Sequence, residues 1–172
     1  MDPFATLGIA RTFDVDLVAA ERAHRDLSRA LHPDRFLGAG SSERRAALGK
    51  AVEVNEAWRV VRDPMRRAEA LLKLAGVPAA EGDAPKAAPE FLMDMIEQRE
   101  ALGDAKRARD LVAVRAMAAA MEARVRDGER SLSAGFASGE GVGALIGKLG
   151  ELRFYRRFLD EVSAIEDELA AA

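Results

Sequence analysis

Leu27-Ser28-Arg29-Ala30-Leu31-His32-Pro33-Asp34-Arg35-Phe36 ends one helix and opens a loop at a fixed place. The residue before a proline is pushed out of the α region, so the helix cannot continue past His32. Upstream, Leu17, Ala20, His24, Leu27 and Leu31 recur at steps of three and four and share one stripe, with Asp14 as the expected N-cap. Arg22, Arg25 and Arg29 keep the same spacing and form a basic ridge beside that stripe. Downstream, a loop through Gly38-Ala39-Gly40-Ser41-Ser42 leads to a second amphipathic helix from about Glu43 to Arg62, with Ala47, Ala51, Val54, Trp58 and Val61 facing inward. Two such helices joined by a proline loop predict an antiparallel hairpin with His32, Pro33 and Asp34 at its tip.

The flanks agree with this reading. Asp2-Pro3 pairs an N-cap with a proline at the first helical position and opens a short helix that Gly8 closes. Asp63-Pro64 repeats the signal and starts a further helix, which Gly76 ends.

Composition excludes several classes. Of 172 residues 49% are apolar and 32% charged, which excludes a disordered tail and a fibrous protein. Scarce aromatics (one Trp, one Tyr, seven Phe) and abundant Ala, Leu, Glu and Arg predict an all-α fold. There is no cysteine and there are two histidines, so disulfides, cysteine zinc sites, iron–sulfur ligation by this chain and thiol catalysis fall away, and no cofactor is expected. The net charge of -3 argues against general nucleic-acid binding. No apolar run is long enough to span a membrane, and the acidic start Met1-Asp2-Pro3-Phe4 is unlike a signal peptide, so the expected location is the cytoplasm.

One break divides the chain. Residues 76–89 hold three prolines and two glycines and cannot continue a helix. The expected layout is a first domain over 1–75, a linker over 76–88 and an antiparallel three-helix bundle over 89–172. In the bundle, Pro89 begins a helix through about Leu102 that Gly103-Asp104 interrupts. Leu111, Val114, Ala118, Met121 and Val125 stripe a long helix ending near Phe136. A glycine-rich turn from Gly135 to Gly143 follows, and Leu145, Leu149, Leu152, Tyr155, Leu159 and Val162 stripe the last helix. At about 100° per residue Phe91, Met95 and Leu102 share the core face of the first of these helices, with Leu92 and Ile96 at its edge. Met93 points almost opposite, flanked by Glu97 and Glu100, and Phe154 projects opposite Leu149 and Leu152. Hydrophobes left over after the core face is assigned are commonplace singly, whereas a cluster of them marks a partner site.

His32-Pro33-Asp34 between a basic amphipathic helix and its antiparallel partner resembles the J-domain of co-chaperones that work with DnaK-type chaperones. The resemblance covers residues 2–75. It implies that His32, Pro33 and Asp34 signal to an ATP-dependent chaperone, while Arg22, Arg25, Arg29 and Arg35 supply electrostatic docking. His24 departs from the J-domain pattern, which usually has an aromatic there; it reads as a satisfied, half-buried histidine. Phe4-Ala5-Thr6-Leu7-Gly8, Val54-Asn55-Glu56-Ala57-Trp58, residues 63–72 from Asp63-Pro64 to Leu71-Leu72, and residues 91–100 from Phe91-Leu92-Met93 to Arg99-Glu100 are together similar to the HscB family. Its members are J-type co-chaperones of iron–sulfur cluster assembly. Membership implies an HscA-type chaperone and an IscU-type scaffold protein as partners. It also implies a scaffold-binding face at Leu92, Met93, Ile96, Glu97, Glu100 and Phe154. The cysteine module that precedes the J-domain in eukaryotic members has no counterpart, so a bacterial form is expected. Two other readings stand beside this one. A general J-domain adaptor for unfolded clients would use a broad apolar groove. An enzyme would need more than the acid pair Glu97 and Glu100, which no nucleophile, metal cluster or phosphate loop accompanies.

Overall fold

The computed structural model describes residues 1–77 and 87–171, and every element among them is helical. The helices are α1 Pro3–Leu7, α2 Leu17–Ala30, α3 Ser41–Arg62, α4 Pro64–Leu74, α5 Pro89–Arg107, α6 Leu111–Ser138 and α7 Val142–Ala170, with a single 3₁₀ turn over Pro33–Phe36. The chain divides into two compact units, Met1–Ala79 and Ala80–Ala172. Most of the expected linker, residues 78–86, lies outside the described residues.

In the first unit, carboxylates and prolines set the helix starts. Asp2 accepts from the Phe4 and Ala5 amides ahead of α1, and Asp63 from Met65 and Arg66 ahead of α4. The expected cap Asp14 is corrected to Asp16, which accepts from the Ala19 amide at 3.0 Å. Helix α2 starts later than the charge pattern suggests because Phe13 is drawn into the interior and Val15 half into it, leaving residues 13–16 outside the helix. Phe4, Leu7, Ala20, Val54, Ala57 and Val61 make the core, with Leu27, Leu31 and Trp58 packed on its edge. Fully burying a side chain as large as Phe4 contributes about 1.5–3 kcal/mol. Of the inward stripe expected for α3, Ala47, Val54 and Val61 are buried, and Ala51 and Trp58 are half-buried.

One charged side chain enters this interior. Arg67 is 5% exposed, donates to the Val61 and Phe13 carbonyls at 2.8 and 2.5 Å, and lies over the Phe13 ring. It ties the α1–α2 loop to the α3–α4 corner. His24 serves the hairpin in a similar way. Its ring stacks on Trp58 at 5.5 Å, and its Nε2 donates to Asn55 Oδ1 at 3.0 Å. The imidazole therefore packs as an aromatic while finding a polar partner.

The second unit is a three-helix bundle whose core joins Met95, Leu102 and Ala105 of α5, Val114 and Met121 of α6, and Phe158 and Val162 of α7. Turns of a few residues join these helices and make them antiparallel neighbours. Two expected boundaries are corrected. Helix α5 runs through Gly103-Asp104 without a break, because Leu102 and Ala105 on either side are both buried and hold the turn closed. The glycine-rich turn shrinks to residues 139–141, with Gly139 in the left-handed conformation (φ 69°) that closes α6. Gly135 belongs to α6, where a Cβ would stand 2.8 Å from Leu145 Cδ2, so the glycine permits close approach of α7. Gly128 does the same against Leu152. Phe158, absent from the stripe expected for α7, is fully buried at its centre, while Tyr155 and Leu159 are half-buried beside it.

Candidate functional site: a loop motif and a helix face

The first unit carries its candidate residues at the tip of the α2–α3 hairpin. His32 is extended (φ -62°, ψ 134°) and serves as N-cap of the 3₁₀ turn that Pro33 opens. Its Nδ1 faces both the Asp34 amide and the Asp34 carboxylate at 3.4 Å. A neutral ring accepts from the amide, and a protonated ring pairs with the carboxylate. Either form closes a small local clip around Pro33, whose ring fixes φ. Both side chains remain largely in water, 59% and 78% exposed. Neither is used by the core.

Arg22, Arg25 and Arg29 are all exposed on α2, but acids on the same helix answer two of them. Arg25 pairs with Glu21 at 2.5 Å and Arg29 with Asp26 at 3.7 Å. The ridge therefore projects less charge than three arginines suggest. No acid pairs with Arg22 or Arg35 among the described residues.

The second candidate site lies along α5. Leu92, Met93 and Ile96 are 37%, 58% and 52% exposed, and Glu97 and Glu100 are exposed beside them. These five share one solvent face. Phe154 stands apart from that expectation. It is half-buried, meets Phe91 edge-on at 5.5 Å and has the Arg157 guanidinium 4.7 Å over its ring. Phe91 in turn meets Tyr155 at 5.7 Å. Phe154 thus belongs to an aromatic seam between α5 and α7 as well as to the surface. It lies away from the buried Leu149 and Leu152, as expected, yet the Phe91 ring packs edge-on against it.

The patch continues into a shallow cleft lined by Ile96, Arg99, Glu100, Gly103, Asp104 and Arg107. Sequence reasoning passed over Arg99, Asp104 and Arg107. Arg99 and Asp104 stand one turn from Ile96 and Glu100, and Arg107 two turns from Glu100, and that spacing was the available signal. Arg99 bonds Glu161 of α7 at 2.8 Å, and Arg107 pairs with Asp104. On the side of α5 toward α6, Arg124 grips Asp94 through both terminal guanidinium nitrogens. That hydrogen bonding holds the Asp94 carboxyl below the usual carboxylate range against the opposing effect of burial. Burial, with the Glu151 charge, pushes the Tyr155 hydroxyl upward. The helix bearing the patch is therefore fixed in rotation by an ion pair and by aromatic contacts.

Over 168 residues, 98% of this chain and 95% of the relative, the sequence is 35% identical to the co-chaperone protein HscB homologue of Cupriavidus taiwanensis. The chain belongs to the HscB co-chaperone family. It is a J-domain co-chaperone of the kind that serves iron–sulfur cluster assembly. The family described as the HSCB C-terminal oligomerisation domain matches residues 87–163, which takes in α5, α6 and most of α7. The solved chaperone HscB from Vibrio cholerae is 30% identical and superposes with a TM-score of 0.85 over 98% of this chain and 99% of its own. Human co-chaperone HscB shares the fold at 22% identity, with a TM-score of 0.87 over 95% of this chain and 81% of its own. Among the described residues of this HscB-type chain, no helix is long and apolar enough to cross a membrane.

Proposed function

We propose that this HscB-type chain carries an IscU-type scaffold protein to an HscA-type chaperone and stimulates the chaperone's ATPase, so assisting iron–sulfur cluster transfer. The observation that carries the reading is that the chain presents two chemically different exposed faces, one on each compact unit. The polar tip with His32, Pro33 and Asp34 suits a signalling contact, because its groups are held in place locally and are free of any duty to the core. Arg22, Arg25, Arg29 and Arg35 add screened attraction that speeds encounter with an acidic partner more than it tightens the complex. The apolar patch of Leu92, Met93 and Ile96, rimmed by Glu97 and Glu100, suits a folded cargo with a complementary apolar spot. Phe154 joins it at the seam. In this reading the role is that of an adaptor acting on another protein's hydrolysis.

A pair of variants tests the reading. His32→Gln should retain the fold and the affinity for the scaffold while losing stimulation of the chaperone in a single-turnover ATPase assay. Met93→Ala should retain basal stimulation and lose the additional stimulation that the scaffold brings. Full stimulation by His32→Gln would overturn the chaperone half of the proposal. Suppression of aggregation of a denatured client, with no binding of folded scaffold, would overturn the cargo half.

A further inference from the structure

Two large apolar side chains stand in water on α3, Leu48 at 59% exposed and Val52 at 61%. The core of the first unit uses neither. At about 100° per residue they fall with Asn55 inside an arc of about 60° on the helix surface. Asn55 is bonded to His24 at 3.0 Å, and His24 lies within 3.3 Å of Ser28, which fixes which flank of the hairpin this arc occupies. The next positions round α2 from Ser28 on that flank are Glu21 and Arg25, which pair with each other. In an antiparallel pair, each step toward the end of α2 is matched by a step toward the start of α3. Counting seven residues from the His24–Asn55 bond along each helix puts Leu48 level with Leu31, the residue before His32. The strip therefore runs from the bond toward the hairpin tip. Arg44 and Arg45 lie one turn beyond it, exposed, and the Arg25–Glu21 pair lies along its side.

From this juxtaposition we infer that Leu48 and Val52 form an apolar docking strip for the ATP-dependent chaperone, taking an apolar segment of that partner bordered by acidic residues. The inference rests on the chaperone-docking reading of His32-Pro33-Asp34 and deepens it. Charge complementarity selects the occupant. The cations Arg44 and Arg45 border the strip at its tip-ward end, which favours an acidic rim on whatever covers it and disfavours a second copy bringing the same cations. Continuity with the signalling tripeptide points the same way, since one partner surface can cover both. The strip and the arginines then have different duties. The arginines act at long range and are screened by salt, whereas the strip acts on contact and is not.

The test is a titration of the intact protein carrying Leu48→Gln and Val52→Gln against the chaperone's single-turnover ATPase, at low and at high salt. Glutamine is a good helix former and both sites are exposed, so the melting temperature should stay unchanged. The concentration for half-maximal stimulation should rise by about tenfold at both salt levels, with the plateau retained, as expected for lost anchors in a contact that still signals. An unchanged half-maximal concentration overturns the strip. So does a wild-type protein that self-associates and a variant that does not, which would make the strip an interface between copies. Failure of the wild type to stimulate at all would instead overturn the docking reading beneath it. The single exchange Val52→Gln, with half the apolar loss, should give a smaller shift in the same direction.

Discussion

The two units make their helices differently, and the difference explains how each presents its site. In the first unit most helix starts are written locally. Asp2, Asp16 and Asp63 cap α1, α2 and α4 with side-chain bonds, and His32 caps the short turn at the tip. In the second unit neither α5 nor α7 has a side-chain cap, yet they run for 19 and 29 residues. Packing holds them instead. Helix α7 buries six residues, whereas α5 buries only Met95, Leu102 and Ala105 and leaves the rest of its surface to solvent or partners. A site at a helix end is therefore set by a few neighbouring residues. A site on the flank of a packed helix is set by what the remainder of the bundle leaves uncovered.

The sharpest way to break this comparison is to treat Met93 and Phe154 as one site. Exposure separates them. Met93→Ala should leave stability within about 0.5 kcal/mol of the parent, because it removes a solvent-facing side chain. Phe154→Ala removes one side of the edge-on pair with Phe91 and should lower stability by about 1–3 kcal/mol, less than the loss of a wholly buried phenylalanine. Both should weaken scaffold binding, each by about 2 kcal/mol when the side chain is a central anchor. Calorimetric melting and scaffold titration on the same preparations check the two halves. Equal stability losses would show that the flank of α5 belongs to the core.

These same residues show how far the sequence could be read. The hairpin, its tip and the candidate residues His32, Pro33 and Asp34 were legible because proline and capping chemistry act within a few positions. The basic ridge was legible as spacing, but its partial neutralisation by Glu21 and Asp26 required seeing rotamers. On α5, the helical wheel separated Met95 from Met93 correctly. It could not see Phe91 meeting Phe154 edge-on, because that contact joins residues more than sixty positions apart. Phe158 and the close approaches at Gly128 and Gly135 escaped for the same reason. Their role is decided by the neighbouring helix and not by local periodicity.

A smaller effect sharpens the contrast between charge and packing. Arg22→Gln with Arg25→Gln should slow association with the chaperone severalfold at low ionic strength, and the difference should vanish in high salt. Of the two, Arg22→Gln alone should have the larger effect, since Glu21 already answers Arg25 at 2.5 Å. Stopped-flow association rates over a salt series measure this. A salt-independent difference would mean that the ridge packs against the partner and does not merely steer it.

The smallest predicted effect lies in the turn between α5 and α6. Arg109 sits at φ 55°, the one non-glycine residue with positive φ among those described. Its amide donates to the Lys106 carbonyl at 3.0 Å, and the next amide, Asp110, donates to Ala105 at 2.9 Å. Those paired bonds close a helix with a left-handed residue, the position that glycine occupies without steric cost. Asp110 then caps α6 by accepting from the Ala113 amide at 2.9 Å, so the turn is held from both sides and Arg109 absorbs the strain. Relieving a left-handed side chain gains about 1 kcal/mol, and the greater freedom of glycine in the unfolded chain takes part of this back. Arg109→Gly should therefore raise the stability of the second unit by about 0.5 kcal/mol and leave stimulation of the chaperone unchanged. Denaturant unfolding followed by amide exchange within α5 and α6 measures the gain where it arises. A loss of stability would mean that the guanidinium makes a contact worth more than the strain.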